Sequence, residues 1–129
     1  ELVTRDIEDA KAAGDPAGVA EALEKALQHL QGATMWLAQN GMADPNNAGA
    51  GAYAYMQLMG LVSLGWMWLK MARSSAQLKN EPGEDAAFHE AKILTARFFA
   101  NRELVAAGAL RRKVEAGADS VMAMPVEAF

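Results

Sequence analysis

The chain has 129 residues, a net charge of −4 and no cysteine. That length suits a single domain with a core of its own. The missing thiols exclude disulfides, cysteine-ligated zinc and thiol chemistry, and the mild acidity without a basic patch argues against nucleic acid as a partner.

Alanine, leucine and methionine are abundant and β-branched residues are scarce, which favours helix nearly throughout. The first residue is Glu1, with neither an initiator methionine nor a signal pattern behind it. A piece of a longer protein is the expectation. Residues 1–14 read as a short amphipathic helix or connector, with Leu2, Val3 and Ile7 on a thin apolar face and Gly14 as its stop. Asp15-Pro16 is a helix start: the carboxylate accepts from free backbone N–H groups, and proline suits the first turn, where an N–H has no partner anyway. The first long helix is placed at 15–41, with Val19, Leu23, Leu27, Leu30, Thr34 and Leu37 as its apolar stripe and Asn40-Gly41 as its stop.

Asp44-Pro45 repeats the start signal and opens a second helix over 45–79, roughly 50 Å long at 1.5 Å per residue. Glu81-Pro82-Gly83 is a turn. A third helix is placed at 84–117, opened by Glu84-Asp85, running through Phe88, Ala91, Leu94, Phe98, Leu104, Leu110 and Val114, and closed by Gly117. The tail, 118–129, has little periodicity but enough apolar side chains (Val121, Met122, Met124, Val126, Phe129) to dock on something. The fold class is all-α: an antiparallel bundle of three long helices with a short N-terminal helix, resembling a four-helix bundle.

The second helix holds the most informative stretch, for Ala48 to Leu69 contains no charge. Three readings compete. A membrane span is opposed by Gln57, Ser63, two tyrosines and four glycines, and by amphipathic helices on either side that need something to cover. A dinucleotide loop is suggested by Gly49-Ala50-Gly51-Ala52-Tyr53-Ala54, but that fingerprint needs a preceding strand, and a helix cap stands there instead. A central bundle helix, apolar on all faces, remains, with Gly60 and Gly65 as points of close approach.

Other candidates are bland. Ala26 and Ala86 stand three residues before His29 and His89, so no Glu-x-x-His di-iron motif is present. His89 reads as a solvent-facing ion-pair partner of Asp85, and His29 as a residue at the edge of its stripe. Ser63, Ser74, Ser75 and Ser120 form no arrangement with histidine that sequence supports, and Glu84-Asp85 is explained by helix capping. The methionines, among them Met35, Met56, Met59, Met67 and Met71, read first as core filler and second as an adaptable apolar surface. No catalytic, cofactor-binding or metal-ligating residue emerges. A face left uncovered by two partner helices is expected around Tyr53, Trp68 and Met71.

An ordered set of residues carries a family resemblance: Thr34-Met35-Trp36-Leu37, Asp44-Pro45-Asn46-Asn47-Ala48, Tyr55-Met56-Gln57-Leu58-Met59-Gly60, Gly65-Trp66-Met67-Trp68, Met71-Ala72, and then Phe88, Lys92 and Ala96-Arg97-Phe98-Phe99. From about Asp15 to Gly117 the chain resembles the C-terminal helical domain appended to a subgroup of bacterial acyl-CoA dehydrogenases, flavoproteins that include enzymes for methylthio-propionyl-CoA and for fatty acyl-CoAs. The resemblance implies a cytoplasmic parent of fatty acid metabolism, in which a carboxylate base takes the α proton of an acyl-CoA and FAD the β hydride. Base and flavin contacts belong to core domains ahead of Glu1, so no catalytic residue carries over. The implied partners are that catalytic core, a second subunit of a homo-oligomer and the parent's acyl-CoA substrate. One departure is a missing proline near Leu104-Val105, which leads to the expectation of a straighter third helix. The alternatives are a free-standing helical interaction module and, more weakly, a small membrane protein.

Overall fold

A computed structural model describes every residue from Glu1 to Phe129. It is all helix: α1 (Leu2–Ala13), α2 (Val19–Ala43), α3 (Pro45–Leu78), α4 (Ala86–Arg102), a 3₁₀ turn (Leu104–Ala106), α5 (Ala107–Glu115), a short α6 (Asp119–Met122) and a 3₁₀ turn at Val126–Ala128. No helix is long and apolar enough to cross a membrane.

Local chemistry sets the helix starts. Asp44 accepts from the N–H of Asn46 at 3.0 Å, with Pro45 in the first turn of α3. Asp85 accepts from the N–H groups of Ala87 and Phe88. Asp15 caps as well, but across a wider turn: its two oxygens take the N–H groups of Val19 and Ala20, at 3.0 and 2.7 Å. The chain reverses at Gly18 (φ 70°) before α2 begins, so this helix starts four residues after Asp15. The Asn40-Gly41 stop also fails. The helix continues to Ala43, because Gly41 serves close approach: a Cβ there would lie 3.2 Å from that of Ala48.

Pairs of touching residues define the packing. Leu23 meets Gly65, and Thr34 bonds Tyr55 across α2 and α3. Ser75 meets His89, Trp68 meets Phe99 and Gly51 meets Val114 across α3 and the α4–α5 segment. Residue numbers rise on one partner as they fall on the other, so both pairs are antiparallel. The third long helix is not continuous. It is interrupted after Arg102 by the 3₁₀ turn at Leu104–Ala106, at the place where the missing proline suggested a straight run. Tighter 3₁₀ winding accompanies the insertion of Leu104 between Gly65 and the interior: a Cβ on Gly65 would sit 2.9 Å from Leu104 Cδ2 and 3.1 Å from Leu23 Cδ1.

The core is thin. Ten of its 19 buried residues are alanines, so the helices approach closely and large side chains are displaced outward. On α2 the buried positions are Val19, Ala20, Leu23, Ala26 and Ala33; Leu27, Leu30 and Leu37 are half-buried and Thr34 is exposed. On α4 they are His89, Ile93, Ala96 and Ala100, and the expected Phe88, Leu94 and Phe98 are exposed. The two stripes lie side by side on one helix, and the alanines select the inner one by allowing backbones to close up.

Candidate docking surface

Helix α3 touches every other long helix but is not enclosed by them. It buries one face only, through Gly51, Ala54, Leu58, Val62, Gly65, Leu69, Ala72 and Ser75, against α1, α2, α4 and α5. At 100° per residue, the opposite face carries Gly49, Tyr53, Met56, Gly60, Leu64, Met67 and Met71. The five large side chains of that row are exposed, Tyr53 by 68%. Gly60 faces open space, with nothing within 4 Å of a Cβ built on it; only Gly65 and Gly51 of this helix are close-approach points. Of the three expected interface residues, Tyr53 and Met71 share the open row. Trp68 turns aside towards α4, half-buried, its ring 6.3 Å from that of Phe99.

The methionines make the same point. All eight are exposed, so the core-filler reading is overturned. A core built on alanine leaves no irregular gap for a thioether to fill. The tail is pinned only at its root, where Ala118 N–H donates to Asn47 Oδ1 at 2.9 Å. Beyond it Val121, Met122, Met124, Val126 and Phe129 all face outward; none docks on this chain.

His89 departs furthest from expectation. It is 5% exposed rather than solvent-facing, and its acid is Glu84, not Asp85. Nε2 lies 2.9 Å from Glu84 Oε2, and Nδ1 lies 3.3 Å from Ser75 Oγ. The sequence held a signal: His89 stands four residues before Ile93 on the Ile93–Ala96–Ala100 stripe. The trio has the residue types of a hydrolase triad but not its setting. Ser75 is 6% exposed and lies within a continuous helix whose N–H groups are bound in its own ladder, leaving no oxyanion donors. Its effect is to clamp the end of α3 to the start of α4.

Two further polar features were invisible in the sequence. Trp66 Nε1 donates to Asp6 at 2.7 Å, fastening α1 to α3. That hydrogen bond, helped by Lys70 and Arg5 at 3.8 and 3.9 Å, holds the Asp6 carboxyl below the usual carboxylate range. A lowered folded-state pKa stabilises the fold above the ordinary value of about 3.9 and stops doing so as pH falls through the folded value. Asp6→Asn is therefore expected to be less stable than the parent chain near neutral pH, with the difference closing in strong acid. Urea unfolding of both proteins across that range checks it, and a gap independent of pH would refute it. Elsewhere, a cavity of ≈ 440 Å³ between α2 and the α4–α5 junction is lined by Lys25, His29, Asn101 and Gly108 among others. His29 is half-buried at the stripe edge, its Nδ1 shielded and unpaired.

Gly49–Ala54 lies inside α3, with Gly51 packed on Val114, so its backbone N–H groups are not free to hold a phosphate. With that geometry in hand, comparison with known proteins assigns the chain. A family model described as "Acetyl-CoA dehydrogenase C-terminal like" matches residues 2–125.

The chain belongs to this acetyl-CoA dehydrogenase C-terminal-like family.

The match takes in α1 to α6 complete, so even the short first helix is part of the family's domain. A curated relative, the 3-methylmercaptopropionyl-CoA dehydrogenase of Ruegeria pomeroyi, is 35% identical over 79 residues, which is 61% of this chain and 13% of that protein. The chain thus corresponds to a small part of the relative's length.

Proposed function

We propose that this chain is the C-terminal helical domain of an FAD-dependent acyl-CoA dehydrogenase, and that it carries none of the reacting groups itself. The parent would dehydrogenate an acyl-CoA thioester between its α and β carbons, in the cytoplasm of a bacterium and within fatty acid metabolism. The domain's own contribution is structural: it packs on the catalytic core and supports assembly of the subunits. The observation that carries this reading is the family match over 2–125, which spans every α-helix. The buried and helix-locked state of Ser75 and the helical state of the Gly49–Ala54 segment support the absence of chemistry here.

The test compares the isolated chain with the parent encoded by its uninterrupted reading frame. The parent is expected to copurify with FAD and to reduce an artificial electron acceptor with an acyl-CoA. The isolated chain is expected to do neither. Flavin binding and turnover by the isolated chain would overturn the non-catalytic assignment. An open reading frame that begins close to Glu1 would favour the second reading, a free-standing interaction module, to which the bare apolar face of α3 also lends itself.

A further inference from the structure

The groove between the last third of α3 and the first turns of α4 combines an apolar floor with a surplus of positive charge. We propose that it binds an unbranched alkyl carboxylate, with the head between Lys92 and Lys70 and the chain on Met71 and Phe88. The site does not depend on the dehydrogenase reading.

The floor defines the body of the ligand. A cavity of ≈ 300 Å³ is lined by Lys70, Met71, Ser74 and Ser75 of α3 and by Phe88 and Lys92 of α4. Ser75 Oγ already faces His89. What a ligand meets is therefore the Met71 thioether, the Phe88 ring and the apolar stems of the two lysines. Met71 is 38% exposed and Phe88 54%, and a hydrocarbon chain lying there would remove both from water. Met67 stands one helical turn before Met71, and Leu64 precedes it on the same row; both are exposed. The groove thus runs out along α3 and takes a chain longer than the cavity itself. A bare inorganic anion would leave this floor wet.

Charge defines the head. The chain is acidic overall, yet cations outnumber acids at this corner. Lys92 forms no ion pair; its Nζ rests 5.1 Å from the centre of the Phe88 ring. Lys70 Nζ rests 5.0 Å from the centre of the Trp66 ring and 3.8 Å from Asp6. An adjoining recess is lined by Asp6, Lys70, Arg73, Ser74 and Gln77, and Asp6 is the only acid lining either hollow. That carboxylate is already engaged: it accepts from Trp66 and faces Arg5 and Arg73 as well as Lys70. Arg73 is half-buried and has no ion-pair partner of its own. Acids on the neighbouring segments are taken too, Glu84 by His89, Glu90 by Lys79 and Asp85 by the N–H groups of α4. The two rings hold the ammonium groups at the rim of the cavity and leave their N–H donors free for an oxygen. A carboxylate gains charge-assisted hydrogen bonds there that an alcohol or an alkylammonium cannot match.

The experiment titrates the 129-residue chain, which has its own core, with octanoate at neutral pH. NMR follows the Met71 methyl and the Trp66 indole N–H. Saturable shifts at both are expected by about 5 mM. Hexanoate, octanoate and decanoate should bind in rising order, by about threefold to fourfold for each methylene buried. Octanol, a chain without the charge, should bind at least about tenfold more weakly, and propionate, a head without the chain, should not saturate. Lys92→Glu should weaken octanoate by at least about tenfold and leave octanol within about twofold. Met71→Gln should weaken octanoate as well. Lys113→Glu alters an exposed cation of α5 outside the groove and should change neither ligand. Lys92 and Met71 are without hydrogen-bond partners in the chain, so both variants should keep its helical circular dichroism and thermal midpoint. Absence of saturable shifts would overturn the proposal and leave the groove to an acidic segment of another protein. Octanol binding as tightly as octanoate, or equal effects of Lys92→Glu and Lys113→Glu, would overturn it too. None of these measurements involves flavin or acyl-CoA, so their failure is distinguishable from failure of the dehydrogenase reading.

Discussion

Ile93→Ala is expected to lower the unfolding free energy by about 2–5 kcal/mol, while Leu94→Ala next to it changes stability by no more than about 0.5 kcal/mol. Ile93 is 4% exposed and Leu94 is 52% exposed. Truncating Ile93 opens a cavity between α4 and the rest of the core, and its alanine neighbours Ala96 and Ala100 have no spare side chain with which to fill it. A domain of this size has a total stability of about 5–15 kcal/mol, so the first variant would lose a large share. Urea unfolding with an unchanged m-value measures both. Equal losses, or a larger loss for Leu94→Ala, would mean that α4 presents its other stripe to α3.

His89→Ala should be the most costly polar substitution. It removes a buried ring, leaves Ser75 Oγ without its partner at 3.3 Å, and frees Glu84 from the 2.9 Å contact. An orphaned buried polar group costs about 1–3 kcal/mol, and the vacated ring volume adds to that. Glu84→Gln keeps an acceptor oxygen near Nε2 and alters only a half-exposed residue, so its cost is expected to stay within about 1 kcal/mol. Unfolding curves for the two variants, with hydrogen exchange at the α3–α4 corner as a local readout, separate a clamp from an incidental contact. If His89→Ala proves no more damaging than Glu84→Gln, the clamp has no energetic weight.

These two residues show where reading the chain succeeds and fails. The start of α3 was legible because Asp44-Pro45 acts on backbone groups two residues away, and the same holds for Asp85. The all-α class followed from composition and from periodicity over long windows. Asp15 gave the right cap but the wrong first residue, because the width of its turn depends on Gly18. The orientation of α4 was not legible. Phe88, Leu94 and Phe98 outweigh Ile93, Ala96 and Ala100 in any hydrophobic count, yet the smaller stripe is inside. Burial here follows backbone proximity, which large side chains prevent.

The same physics governs α3. Its uncharged run pointed to a helix covered on every face, whereas only one face is buried; its cap did exclude a phosphate loop. Whether Gly60 or Gly65 met a neighbour was beyond any local signal, since both are glycines in the same helix. Only the packed structure decided that Gly65 receives Leu104 while Gly60 faces outward. The sequence alone therefore determined the helices, most of their starts and the family signature, because caps and turns act over two to five residues. Tertiary structure decided which faces close, where the third long helix breaks and which histidine is buried. Those outcomes depend on how side chains far apart in the chain fit together, as Ser75 with His89, Gly65 with Leu104 and Gly51 with Val114, and no segment of the chain carries that information by itself.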